Sequence, residues 1–228
     1  MKQFFLLIAL LPVFAHAQIG EPRHNFAVGA NIGWNLSRVS FSPTIKQAYH
    51  HAPAVGVTAR YISEKYFSAI CGLQAELNYA ALGWKEDIQD GSNNEYSRTI
   101  HYVQLPLLMQ LGWGREQRGL KFIFEAGPQI GYAFATSDKR GGDAWDISNR
   151  PNGVVYQYDN DIDHKLDYGI TGGIGVELST PAGHFQLHGR YYYGLADIYG
   201  SSKKDFFARS ANQAINIKLT YLFDIKKH

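Results

Sequence analysis

Hydrophobic and polar residues alternate with a period of two in eight separate stretches of the chain. The first is the clearest. Phe26, Val28, Ala30, Ile32, Trp34 and Leu36 share one face, and Ala27, Gly29, Asn31, Gly33 and Asn35 share the other. Successive side chains of a β-strand point to opposite faces, so each stretch predicts a strand with one apolar and one polar side. The other stretches run through 55–61, 73–79, 103–111, 122–134, 168–178, 185–195 and 215–223. Their apolar faces, with Leu77 and Leu107 near mid-strand, hold no Asp, Glu, Lys or Arg. The connections alternate in length: short around 63–65, 114–119 and 179–183, long at 37–53, 84–98, 136–164 and 196–209. Short turns on one side and long loops on the other predict an all-β fold, an eight-stranded antiparallel transmembrane up-and-down β-barrel over 26–225.

Alternation alone does not say whether the apolar face meets lipid or a core, since a soluble lipid-carrying barrel turns it inward. Two features favour lipid. The polar face is rich in Gly, Ala, Asn, Thr and Gln, which suits an eight-stranded interior only just wide enough to be filled by side chains. The aromatic residues also gather at strand ends: Phe26, Tyr61, Phe67, Trp113, Phe122, Phe185, Tyr221 and Phe223 by the short turns, and Trp34, Tyr79, Tyr132, Phe134, Tyr168, Tyr191 and Tyr193 by the long loops. Amphipathic rings prefer the two membrane interfaces, so these read as girdles.

The N-terminus supports export. Lys2 precedes an apolar run at 4–14, and Ala15-His16-Ala17 has the small-x-small cleavage pattern, so 1–17 reads as a cleaved signal peptide and 18–25 as a short N-terminal segment. The run is too short to cross a bilayer as a helix. Mean hydropathy is −0.26, a measure blind to alternating strands. A net charge of +2 gives no polybasic case for nucleic acid. Cys71 stands alone and reads as a packing residue rather than a disulfide partner.

Pro106 breaks the ladder pattern within Tyr102-Val-Gln-Leu-Pro-Leu-Leu108, and that segment resembles a strand of the PorT-like outer-membrane β-barrel family, small barrels of the OmpA type. Arg60-Tyr-Ile-Ser-Glu-Lys-Tyr-Phe67, Leu73 to Tyr79, Gly83-Trp84, Phe124 to Tyr132, Asp167 to Glu177 and Gly189 to Leu195 follow in the order and spacing of the same family, covering about 26–223. The resemblance implies an integral outer-membrane protein of Gram-negative bacteria with no catalytic residues, and a link to protein export for the namesake subgroup. The last aromatic, where a barrel-insertion signal is expected, is Phe223.

The polar face also carries Arg60, Glu76, Glu125, Asp167, Glu177, Arg190 and Lys218. This set reads as a structural plug, a narrow lumen in which every charge is paired; a proton path or selective pore is the alternative. His184 and His188 share the inward face and could ligate a metal or serve a Ser-His hydrolase, but no outward Ser, His and carboxylate cluster accompanies them, and no metal, cofactor or catalytic site is assigned. The loop 136–164, with Asp138, Asp143, Asp146, Asp159, Asp161 and Asp163, matches no calcium-loop spacing. Its Trp145, Tyr156 and Tyr158 are candidate anchors for a protein partner. The expected partners are outer-membrane lipids and a protein at the loops or turns, with a monomeric barrel; a small lumen transporter or a lipid-modifying enzyme is the alternative. The mature protein is expected in the outer-membrane fraction, β-rich by circular dichroism and heat-modifiable on gels. Recovery from the soluble periplasm would overturn that assignment.

Overall fold

The computed structural model describes residues 20–89, 93–116, 118–142, 154–158 and 160–226. The strands are β1 (Glu21–Ser42), β2 (Gln47–Ala48), β3 (His50–Tyr66), β4 (Ala69–Glu86), β5 (Glu95–Gly114), β6 (Gly119–Gly141), β7 (Leu166–Thr180), β8 (Gly183–Asp197) and β9 (Arg209–Lys226). The two-residue β2 only pairs with the end of β4. The eight long strands form a closed antiparallel ring: β1 pairs with β3 and β9, β4 with β3 and β5, and the rest with their chain neighbours. Such closure leaves no edge and satisfies the backbone from strand to strand, as hydrocarbon demands. The expected signal peptide, 1–17, lies outside the described residues.

The apolar face points outward. Leu77 is 52 % exposed and Leu107 46 %, and Ile32, Val57, Ile174 and Ile217 are exposed around the same belt. Asn31, Thr58, Gln74, Gln104 and Gln186 are buried on the inner face. Glycine makes that inner face possible. A Cβ at Gly56 would lie 2.1 Å from Asn78 Oδ1, and one at Gly175 would lie 2.7 Å from His188 Nδ1.

The strands run further than the alternation predicts, and this corrects the loop boundaries. β1 continues to Ser42, β4 to Glu86, β6 to Gly141, and β5 starts at Glu95. In these extensions the phase of the pattern inverts. Val39, Phe41, Leu82, Trp84 and Ile100 turn inward and are buried, while Arg38, Ser40, Lys85 and Ser97 face out. Past the lipid boundary the outside is wet, so polar residues belong there and apolar ones pack inside. Above the polar lumen this makes a second core of Phe41, Leu82, Trp84, Tyr96, Tyr102, Tyr192, Tyr199 and Phe207, joined by Val154 and Tyr158. Gly83, at φ +151°, lets β4 and β5 close here: a Cβ would lie 1.9 Å from the Arg98 carbonyl oxygen.

The outward assignment is open to a depth test. Leu77→Arg or Leu107→Arg should cost about 2–4 kcal/mol of barrel stability, against about 0–1 kcal/mol for Phe185→Arg near the short-turn interface. Urea unfolding in phosphatidylcholine vesicles measures both, and equal costs would refute the assignment.

Candidate functional site

The lumen is stratified. Nearest the short turns, Glu177 on β7 receives two cations, Arg60 Nη1 from β3 across the lumen at 2.5 Å and Lys121 Nζ from its cross-strand partner on β6 at 2.9 Å. Gln186 Nε2 donates to the same carboxylate at 2.8 Å. His184 bridges this layer to the end of β9, with Nδ1 2.9 Å from Glu177 Oε1 and Nε2 3.1 Å from Asp224 Oδ2. Lys121 escaped the sequence reading because it directly follows a turn; its position two residues before Ile123 and four before Glu125, both buried, was the available signal.

One layer up, Glu76 and Glu125 share Arg190. Arg190 Nη2 lies 2.8 Å from Glu76 Oε1, and its Nε meets Glu125. Lys218 Nζ reaches Glu76 Oε2 at 2.6 Å, and His188 Nδ1 lies 2.9 Å from Glu125 Oε1. Gln74, Asn78 and Gln110 donate to the remaining carboxylate positions. Five strands, β4, β5, β6, β8 and β9, therefore meet on two carboxylates, with every participant buried.

Asp167 departs from the expectation that every lumenal charge is paired. Among the described residues no cation lies within ion-pair distance of it. Instead Asn212 Nδ2 donates to its Oδ2 at 3.0 Å and to Tyr102 Oη at 2.9 Å, and Oδ1 has no partner. Asp167 sits where the polar lumen gives way to the aromatic core, so its neighbours are phenols rather than ammonium or guanidinium groups.

Among the described residues two small cavities lie along the axis. One, about 30 Å³, is lined by Asn78, Gln104, Gln129, Arg190, Tyr192 and Lys218, and the other, about 10 Å³, by Arg60, Gln110, Lys121 and Glu177. A water needs roughly 10–15 Å³, so the first has room for about two waters and the second for one at most.

His184 and His188 end in different layers, and among the described residues no group of three His, Cys, Asp or Glu side chains is placed to hold a metal ion. Ser179, His184 and Asp224 do stand in hydrolase order, with Ser179 Oγ 3.0 Å from His184 Nδ1. Ser179 is buried, however, and its hydroxyl donates to Glu177 Oε1 at 3.1 Å. No carbonyl substrate can approach it there.

The loop residues divide. Tyr158 is only 1 % exposed, which corrects its reading as a partner anchor. Its hydroxyl donates to Glu86 Oε2 at 2.5 Å, and its ring meets Tyr96 edge-on. Tyr156 stays 38 % exposed and stacks on Phe206 with centroids 5.4 Å apart. Trp145, with Asp143, Asp146 and Asp159, lies outside the described residues. Asp138 is engaged rather than available to a cation: Arg98 grips it through Nε and Nη2, both at 2.5 Å, and donates Nη1 to Tyr199 Oη. Burial, only partly offset by Arg98, pushes the Tyr199 phenol up to about 12. This rim cluster falls in segments the alternation assigns to loops, where no inward face is predicted on which to place it.

A family model described as an outer membrane protein beta-barrel domain matches residues 16–200. No curated protein sequence matches the chain. Among solved structures, Neisserial surface protein A is similar at 13 % identity over 87 % of this chain and 97 % of its own, with a TM-score of 0.42. OprG from Pseudomonas aeruginosa gives 13 % identity over 90 % and 98 %, with a TM-score of 0.41. Ail of Yersinia pestis, in complex with the heparin analogue sucrose octasulfate, gives 12 % over 87 % and 99 %, with a TM-score of 0.37. The family match extends from before β1 into the loop after β8, and with the closed ring and its apolar outer belt it identifies the chain as a bacterial outer-membrane protein that belongs to the outer membrane protein β-barrel domain family.

Proposed function

We propose that the protein is a monomeric, non-conducting barrel that works through its extracellular face on a protein partner, in the manner the PorT-like resemblance implies for export to the cell surface. The observation that carries this reading is the filled lumen: ion pairs below, an aromatic core above, and, among the described residues, axial cavities of only about 30 and 10 Å³. A molecule that passes nothing through its axis must act at its surfaces. The stacked pair Tyr156–Phe206 is exposed on the long-loop side and offers the aromatic contact that partner sites favour. The export role predicts that a strain lacking the gene retains proteins normally displayed on its surface. Unchanged surface display would remove export and leave the closed barrel standing.

Two measurements address the filled lumen directly. The purified, refolded protein should give no stable single-channel conductance in planar bilayers, and steady channels would restore the pore reading. Arg190→Leu removes the guanidinium that Glu76 and Glu125 share, leaving Glu76 with Lys218 and the amides of Gln74 and Asn78, and Glu125 with His188 and the amide of Gln110. Breaking a buried pair from one side costs about 3–5 kcal/mol, and urea unfolding of the refolded barrel should show a loss of that size.

A further inference from the structure

We propose that the larger of the two lumen cavities, walled by Arg190 and Lys218, binds a small monovalent anion of halide size and holds it inside the barrel as part of the plug. Among the described residues, this cavity of about 30 Å³ is lined by both cations and by no carboxylate; Glu76, Glu125 and Asp167 lie outside its lining. Arg190 and Lys218 are diagonal neighbours on the β8–β9 ladder, Arg190 opposite Asn216 and Lys218 opposite His188, and both are buried on the inner face. Their carboxylate partners occupy only part of each group. Arg190 meets Glu125 through Nε and Glu76 through Nη2, which leaves Nη1 to neither. Lys218 Nζ gives one hydrogen bond, to Glu76 Oε2 at 2.6 Å, and an ammonium has further N–H donors to spare.

Amides complete the wall. Gln104 on β5 and Gln129 on β6 are only 7 % and 8 % exposed, yet among the described residues neither side chain has a hydrogen-bond partner. A buried amide left unbonded is costly, so both call for a ligand in the cavity they line. No bond fixes which way either amide turns, and each can present its NH₂ to the cavity.

Charge and size name the ligand. A water makes about three hydrogen bonds and must donate some of them. Here a guanidinium, an ammonium and two amides all come as donors, and an anion accepts from every side. Hydrogen bonds between ionised partners are the strong ones, and the low dielectric of a closed lumen strengthens them further. Room for about two waters admits one halide with one water beside it. That water can donate to Asn216 Oδ1, a buried acceptor of the same lining with no partner of its own. A tetrahedral oxyanion such as sulfate is too large for the space.

The test refolds the full-length barrel in detergent with sodium gluconate as the salt, or with gluconate replaced stepwise by bromide at constant ionic strength. Bromide stands for the halide because it scatters anomalously. The wild type should show a urea midpoint with a saturable dependence on bromide, as for a ligand that binds the folded state alone. Crystals of the bromide form should give an anomalous peak in the cavity between Arg190 and Lys218. Gln104→Leu and Gln129→Leu each remove one donor and should raise the half-saturating bromide concentration about tenfold, the loss of one hydrogen bond to a charged group. Thr220→Val, buried in the lumen but outside the cavity lining, should keep the wild-type dependence. General salt effects act alike on all four proteins, so the saturable part is the readout. The heat-modifiable gel shift checks that each variant has closed, and the anomalous map of the wild type needs no variant. Water alone in the cavity after refolding in bromide, or the same bromide dependence in the wild type and both glutamine variants, would overturn the proposal.

Discussion

Hydrocarbon offers no water to a stray N–H or C=O, so everything here depends on the pairing of β1 with β9 that shuts the ring. Closing at eight strands makes the interior narrow, and a narrow interior must be filled by side chains. Filling it with the polar half of an alternating pattern brings charges out of water, and buried charges must then find each other across the axis. Arg60 reaching Glu177, and Arg190 reaching both Glu76 and Glu125, answer a demand set by closure rather than adding independent stability. Replacing such networks with apolar residues is often neutral or better, so their value here lies in fixing which strands face one another.

The barrel, its strand count, its inside and outside, and the inward course of the charged residues were legible in the sequence because one rule, period two, held unbroken through the membrane. The rule failed where its environment changed. At Leu82 and Trp84 the alternation continues with its polarity reversed, and an eye set for outward apolar residues reads the strand as finished. Tyr158 was misplaced for the same reason: in a supposed loop an aromatic reads as a surface anchor, whereas here it caps a core that the reversed pattern builds. Asp167 illustrates a different gap. Inwardness is a property of parity, but partnership depends on height, and parity carries no information about which layer a residue reaches.

The two halves of the interior also stand on different physical footing. The lower half is held by ion pairs and amide hydrogen bonds with strict geometry, each donor aimed at a particular oxygen. The upper half is held by ring contacts such as Phe41 against Trp84, 5.1 Å apart and nearly perpendicular. Arg98 joins the two kinds of packing, since it grips Asp138 while lying over the Trp84 ring at 5.6 Å. The outer half thus packs like a small soluble domain mounted on a membrane wall.

Ring closure also dictates when the protein can come into being. The partners that shut the ring stand at opposite ends of the chain, Val28 beside Phe223 and Trp34 beside Ile217. Contacts so far apart in sequence form slowly, because the intervening chain must first be gathered. Until β9 arrives, β1 and β8 each present an unpaired edge that invites association with other chains. Lys218 and Asn212 come with β9, so Glu76 and Asp167 wait for the same moment to be satisfied. The ring can therefore shut only when β9 is present to pair with both β1 and β8.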